Sequence, residues 1–353
     1  MQITKVEVNP VELKLQKPVQ ISGLPAVDRI TAIFVRLETR QGQNAWGCTI
    51  AQADLTCEKP EDVLRICQSY ADIVPSLHPT NIEYSLTELA SFTPGCPSGL
   101  CAFDLALHDL LGIAADMPLY RLLGGYRNHI QTSVTVPLST VHESVELAQA
   151  YARVGFRMLK VKGGIDPQDD VNRIKSIHRA LPHHILRLDA DGGYTVPHAL
   201  EVARALKEDL EMIEQPTPAN DLESLTQVTQ NSPVPILADQ SLSGPASALQ
   251  LAAKRSVNGF CVKLATCGGF RCARQIDAIA RAARIGIMAS CVIEPALLIA
   301  AGLSFALSSP NVRYADLDGN LGLMGDPTMA GFRLEDGWLT ASEVPGLGCT
   351  VDL

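Results

Sequence analysis

The chain opens on alternating character, with Val6, Val8, Val11, Leu13 and Leu15 set between polar neighbours, a period-two pattern that predicts a half-buried strand. A second apolar run, from Ile30 to Leu37, predicts another strand, and the Gly- and Pro-containing stretch from Val19 to Arg29 reads as the loop between them. From Ser98 the period lengthens. Phe103, Leu107, Leu110 and Leu111 share one helical face, and Pro118 opens a short helix that ends at Gly124-Gly125. Strands followed by helices make residues 1–124 an α+β unit, with the glycine pair as its boundary.

Beyond that pair, short β-type runs alternate with amphipathic helices. The strands are predicted at 132–136, 158–162, 185–189, 212–214, 236–239, 260–263, 287–290 and 313–316. Asp166-Pro167 is a helix cap followed by proline at the first helical position, and Asp221 caps another helix. The stripe Phe270, Ala273, Ile276, Ile279 and Ala283 is closed by Gly286, read as a left-handed cap. Eight such units predict a (β/α)8 barrel of the TIM type over residues 125–320. A doubly wound sheet is disfavoured, since no G-x-G-x-x-G follows a strand.

The predicted strands end in charge, where a buried barrel wants apolar or turn residues. Lys162, Asp189, Glu214, Asp239 and Lys263 follow one another at intervals of 27, 25, 25 and 24 residues, and Asp316 ends the eighth strand. Each interval is one strand–helix unit, so all six lie at the C-terminal rim, where barrel active sites assemble. Asp189, Glu214 and Asp239 come from neighbouring strands; three carboxylates in a semi-buried mouth repel one another unless a cation joins them, and oxygen ligands suit Mg²⁺. Strands two and six are opposite in a ring of eight, which puts Lys162 and Lys263 on either side of the cavity. Two bases facing one carbon suit proton removal from one face and return to the other, given lysine pKa values lowered by burial and nearby cations. Lys160, on the same strand face as Lys162, is a further cation for the developing negative charge.

Composition narrows the class. With 353 residues, 46% apolar and 19% charged, the chain can bury a large core. A net charge of -9 is the wrong sign for gripping nucleic acid. Ten cysteines without a C-x-x-C pair read as reduced thiols, and the N-terminus lacks a signal-peptide pattern, so a cytoplasmic location is expected. The apolar stretch 296–307 falls short of the ~20 residues that cross a bilayer. None of the eight histidines falls at a rim position. Cys291 and Glu294, just past the seventh strand, are candidate site-lining residues.

The motifs K-V-K (160–162), L-D-A-D-G-G (188–193), I-E-Q-P (213–216), L-A-D-Q-S (237–241) and V-K-L (262–264) resemble the muconate-lactonizing-enzyme subgroup of the enolase superfamily. The likeness covers essentially the whole chain. It implies Mg²⁺ on Asp189, Glu214 and Asp239, paired acid/base lysines at 162 and 263, and a capping domain whose loops, about 21–28 and 46–57, close over the rim. It also implies a C-terminal tail, 321–353, that rejoins the cap. Within the subgroup, Y-A-D-L-D-G at 314–319 is similar to the D-x-D motif of dipeptide epimerases, which implies that Asp316 and Asp318 hold a substrate α-ammonium group. Asp191, Gln240 and Cys48 stand where Asn, Glu and Glu are usual; the first two are expected beside the metal and the lysines, where they would tune both.

The cap loop between Lys17 and Arg29 carries no cation and is largely apolar, with Ile21, Leu24, Pro25, Ala26 and Val27. An acidic substrate side chain would want a cation there. The expectation is therefore a dipeptide with an uncharged, hydrophobic residue at the epimerised carbon, with Leu24 as a contact. Lactonisation, dehydration or racemisation of another carboxylate, a Schiff-base aldolase on Lys162 or Lys263, and a non-catalytic binding barrel remain open, as does assembly into a homo-oligomer.

Overall fold

The computed structural model describes residues 1–20, 22–23 and 25–353. The opening strands, Ile3–Val19 and Val27–Thr39, are antiparallel and longer than their apolar runs, because backbone pairing continues out to Val19 and Val27 beside the turn. A third strand, Asn44–Ala51, joins them. It replaces most of the loop expected over 46–57, leaving residues 52–57 with the short helix Ala53–Thr56. Trp46 through Ala51 are buried on both faces, so this strand shows no alternation to read. Gly47 lets the helix Pro97–Ala114 lie on the sheet: a Cβ there would stand 2.0 Å from the Ala102 carbonyl oxygen.

That helix also ties the cap to the rest. Asp104 accepts from the backbone N–H groups of Phe270 and Arg271, at the start of a barrel helix. Asp109 accepts from Trp46 N–H in the cap sheet and from Leu347 N–H in the tail. Two buried carboxylates on one helix thus stitch three parts of the chain together.

Eight parallel strands follow in chain order: Ser133–Val136, Met158–Lys162, Ile185–Asp189, Leu210–Glu214, Ile236–Ala238, Gly259–Val262, Gly286–Ser290 and Val312–Asp316. A bridge between Thr132 and Ala315 closes the ring, giving the expected barrel. Asp166 and Asp221 cap their helices as read, each accepting from first-turn N–H groups. The helix Phe270–Ala283 ends differently: Arg284 takes the left-handed conformation at φ 60, and Gly286 opens the seventh strand. The eighth strand leads into no helix. Its glycine-rich continuation forms Leu323–Met324, which pairs with Lys14 and Leu15 at the edge of the cap sheet, and then the hairpin Phe332–Glu335 and Trp338–Ala341, which pairs with His129–Gln131.

Residues alternate along the barrel strands. Leu159, Val161, Leu186 and Leu188 turn outward into the layer beneath the helices, while a small interior cluster of Met212, Leu237, Cys261 and Met288, with Tyr314 against it, fills the lower part of the ring. Above it the inward positions carry charge. No helix among the described residues is long and apolar enough to cross a membrane. All ten cysteines are free thiols.

Candidate active site

Because side chains on a strand alternate, Lys160 and Lys162 project to the same side of the second strand, into the barrel. Lys162 Nζ lies 2.8 Å from Asp189 Oδ2 on the third strand and 2.9 Å from Asp191 Oδ2 just beyond it. Asp191 has a positive φ of 46, which Asp tolerates, and its carboxylate also accepts from Gln240 Nε2 at 3.1 Å. Asp191 and Gln240 therefore meet beside Lys162. Arg173 holds the Lys162 carbonyl from the helix behind and pairs with Asp170.

Across the ring, Lys263 Nζ is 2.6 Å from Asp239 Oδ2. Asp239 and Lys263 each lie one residue past their strands, Ile236–Ala238 and Gly259–Val262, rather than on the last strand position. Gln215, at a positive φ of 37, holds this part of the rim. Its side-chain oxygen accepts from the N–H groups of Asp239 and Ser241, and its amide donates to Thr217 O and Ser241 Oγ.

Lys160 is 4% exposed and sits among three carboxylates. It contacts Asp316 Oδ2 directly, with Asp189 Oδ2 at 3.3 Å and Glu214 Oε2 at 3.7 Å. The lysines are not depressed as burial alone would make them. Burial opposes the charge on Lys162, but Asp189 and Asp191 outweigh it and the pKa rises; Lys263 rises through Asp239 and Lys160 through Asp316 in the same way.

Glu214 differs from its neighbours. Both carboxylate oxygens are buried with no hydrogen-bond donor, and burial followed by the charge of Asp189 pushes the group up to about 8. The described carboxylates form no ready cage of three, since Asp189 and Asp239 are each turned to a lysine. The set Asp189, Glu214 and Asp239 nonetheless offers only oxygen, the donor that a hard dication takes, and the two orphaned Glu214 oxygens are what such an ion would satisfy.

Asp316 and Asp318 differ in their surroundings. Asp316 is fully buried and satisfied by Lys160, Ser133 Oγ at 2.7 Å and Ser290 Oγ at 3.2 Å. Asp318, two residues on, accepts from Thr135 N–H and from the Cys291 thiol and has no cationic partner among the described residues. Gly319 is not merely a turn residue: a Cβ there would stand 1.9 Å from Val292 O. Glu294 is buried, accepts from Val292 N–H at 3.3 Å, and is pushed up to about 8 by burial. Ser22 of the cap loop lies close to Gly164 after the second strand, where an added Cβ would stand 3.2 Å from its Oγ; Leu24 lies outside the described residues. Gln215, Ser133, Ser290 and Arg173 were not singled out from sequence, although Gln215 stands inside the I-E-Q-P motif.

Comparison with known proteins agrees with this architecture. Residues 3–124 match the family described as mandelate racemase / muconate lactonizing enzyme, N-terminal domain, and residues 143–353 match enolase C-terminal domain-like. The L-Lys-D/L-Arg epimerase of Methylococcus capsulatus is 34% identical, covering 99% of both chains. The hydrophobic dipeptide epimerase of Enterococcus faecalis is 32% identical over 99% of both. The crystal structure of the dipeptide epimerase from Enterococcus faecalis, complexed with Mg and L-Leu-L-Tyr, superposes with a TM-score of 0.96 at 32% identity, covering 99% of this chain and 100% of that one. With both of its halves matched and its barrel superposed, the chain belongs to the mandelate racemase and muconate lactonizing enzyme family of the enolase superfamily.

Proposed function

We propose that this enzyme epimerises dipeptides, moving a proton off and back onto one α-carbon with Lys162 and Lys263 as acid and base on opposite faces. The observation that carries this reading is the pair of largely enclosed lysines, one ending the second strand and one just past the sixth strand of an eight-strand ring, with the carboxylates of the third, fourth and fifth units between them. Asp189, Glu214 and Asp239 would hold Mg²⁺, as the orphaned oxygens of Glu214 support; relatives of known structure are complexed with Mg and a dipeptide. When bound, the ion would supply positive charge that offsets the carboxylates holding the lysines protonated and would stabilise the added negative charge on a substrate carboxylate whose neighbouring carbon has lost its proton. Lys160 adds a fixed cation to the same cavity, and its burial makes that charge count for more than it would in water. Asp191 and Gln240 orient Lys162 from behind.

Asp318 receives the α-ammonium group of the substrate, with Asp316 behind it raising the local negative potential. Cys291 and Glu294 close that end of the cavity. In this reading residues 1–124, with the tail 321–353, form the cap that excludes water, and residues 125–320 carry the chemistry. The residue at the epimerised carbon is uncharged or hydrophobic. Arg29, the nearest cation after the cap loop, is engaged by Asp28 and Glu12 on its own sheet, so an acidic side chain finds no partner there.

Incubation with a dipeptide library in D₂O and Mg²⁺, read by mass, tests the whole reading. Gain of one deuteron per molecule in a subset of dipeptides is expected. An absence of deuterium in every dipeptide, with the folded and metal-loaded enzyme, overturns it.

A further inference from the structure

Arg187 on the third strand is among the largest fully buried side chains, 1% exposed inside the barrel. A guanidinium there is costly for stability alone. A buried ion pair is often no better than apolar side chains of similar volume, and the neighbouring floor positions are filled by Met212, Leu237, Cys261 and Met288. Its one carboxylate partner, Glu211 at 2.7 Å from Nε, takes only one edge of the group. The rest of the group turns to other partners, with Nη2 at 3.3 Å from Met158 Sδ and Nη1 at 3.6 Å from Met288 Sδ. Nη1 donates to Ala315 O at 3.0 Å and to Ser133 Oγ at 3.3 Å, and the guanidinium lies 5.3 Å from the centre of the Tyr314 ring.

The direction of the next bond is forced. An arginine can only donate, so the Ser133 hydroxyl accepts from it and keeps its single proton for an acceptor. The shorter of its two contacts is Asp316 Oδ1, at 2.7 Å, against 3.3 Å to Ala315 O. The second oxygen of Asp316 is taken by Lys160 and by Ser290 Oγ. Guanidinium, hydroxyl and carboxylate therefore form one polarised run, in which the bond from Arg187 strengthens the one from Ser133 to Asp316, and the Lys160 ammonium donates to the same carboxylate through its other oxygen. The run links Arg187 on the third strand to Lys160 on the second through residues of the first and eighth.

We propose that Arg187, Ser133 and Asp316 are a positioning array that fixes the Lys160 ammonium in the cavity. The proposal rests on the reading of Lys160 as the cation that meets the developing charge on the substrate. Without the array, Lys160 has two other carboxylates within 4 Å, and nothing else holds it away from them. A displaced Lys160 would still balance charge in the resting enzyme. It would fail where the geometry of the transition state matters, so the loss belongs in kcat rather than KM.

The test compares Ser133→Ala, Arg187→Met and Lys160→Met with the wild type, each Mg²⁺-loaded, on the dipeptide that the D₂O screen shows to turn over fastest. Ser133→Ala removes one hydroxyl and leaves the barrel packing nearly unchanged, so it decides the matter even where Arg187→Met does not fold. A fall in kcat of about tenfold or more is expected in Ser133→Ala, with KM within about twofold and an unfolding midpoint close to that of the wild type. Unchanged kcat in folded Ser133→Ala overturns the array, as does a loss that only tracks a smaller folded fraction. Wild-type kcat in Lys160→Met overturns instead the reading of Lys160 on which the array depends.

Discussion

Lys263 Nζ closes onto Asp239 Oδ2 at 2.6 Å, joining a residue of the sixth strand loop to one of the fifth. In the proposed reading one is a base and the other a metal ligand, so metal binding and proton transfer draw on the same carboxylate. Chelation should abolish turnover and Mg²⁺ should restore it. Mg²⁺ should also raise the unfolding midpoint of the wild type but not of Glu214→Gln. Full activity in metal-free buffer would sink the assignment.

The two lysines should prove separable by stereochemistry. Lys162→Ala and Lys263→Ala are each expected to lose epimerisation, while each retains α-proton exchange in D₂O with only one of the two substrate epimers. Equal exchange of the same epimer by both variants would show that they do not face opposite sides.

Asp318, with its carboxylate left without a cation, should be the group that distinguishes a free amino terminus. Asp318→Asn is expected to raise KM for dipeptides by a factor corresponding to about 2 kcal/mol, and N-acetylated dipeptides should be poor substrates of the wild type. Undiminished turnover of N-acetylated dipeptides would leave Asp318 as a structural residue only.

Side-chain preference follows from the cap loop, since Arg29 in the strand after it is already engaged by Asp28 and Glu12. Ala-Leu or Ala-Phe should exceed Ala-Glu in kcat/KM. A clear preference for Ala-Glu would refute the loop argument.

Glu294 makes stability depend on pH in a stated direction. Burial pushes its carboxyl up to about 8 from an ordinary 4.5, so the folded protein holds this proton more tightly than the unfolded chain does. Its contribution is present below the lower value and is lost as pH rises through the higher one. The unfolding midpoint of Glu294→Gln, relative to wild type, should therefore climb across that window and level off above it. A flat difference would place the Glu294 carboxyl outside the buried environment.

Much of the site was legible because charge at the end of an apolar run is conspicuous. Lys162, Asp189, Glu214 and Asp316 end their strands as read, and Asp239 and Lys263 miss by one residue. The remainder was hidden for physical reasons. A serine or arginine inside a strand, such as Ser133 or Arg187, looks like any solvent-facing polar residue until the ring closes around it. The third cap strand is buried on both faces and so has no period. Asp316 and Asp318 share a motif, yet the first ends the eighth strand and is fully buried, while the second lies two residues beyond it and is only partly covered. The lysine pKa values depended on which carboxylates each ammonium reaches, which spacing alone does not specify.

The pairing of Lys14 and Leu15 with Met324 and Leu323 bears on how the molecule is made. A ribosome releases the first cap strands early, but their outer edge has no partner until the whole barrel has been synthesised. Until then that edge is an open template for other chains, and the long sequence separation slows its closure. A stop codon placed just after the eighth strand would leave all the charged rim residues in the product, yet the expected outcome is aggregation during expression, with the cap sheet as its seed.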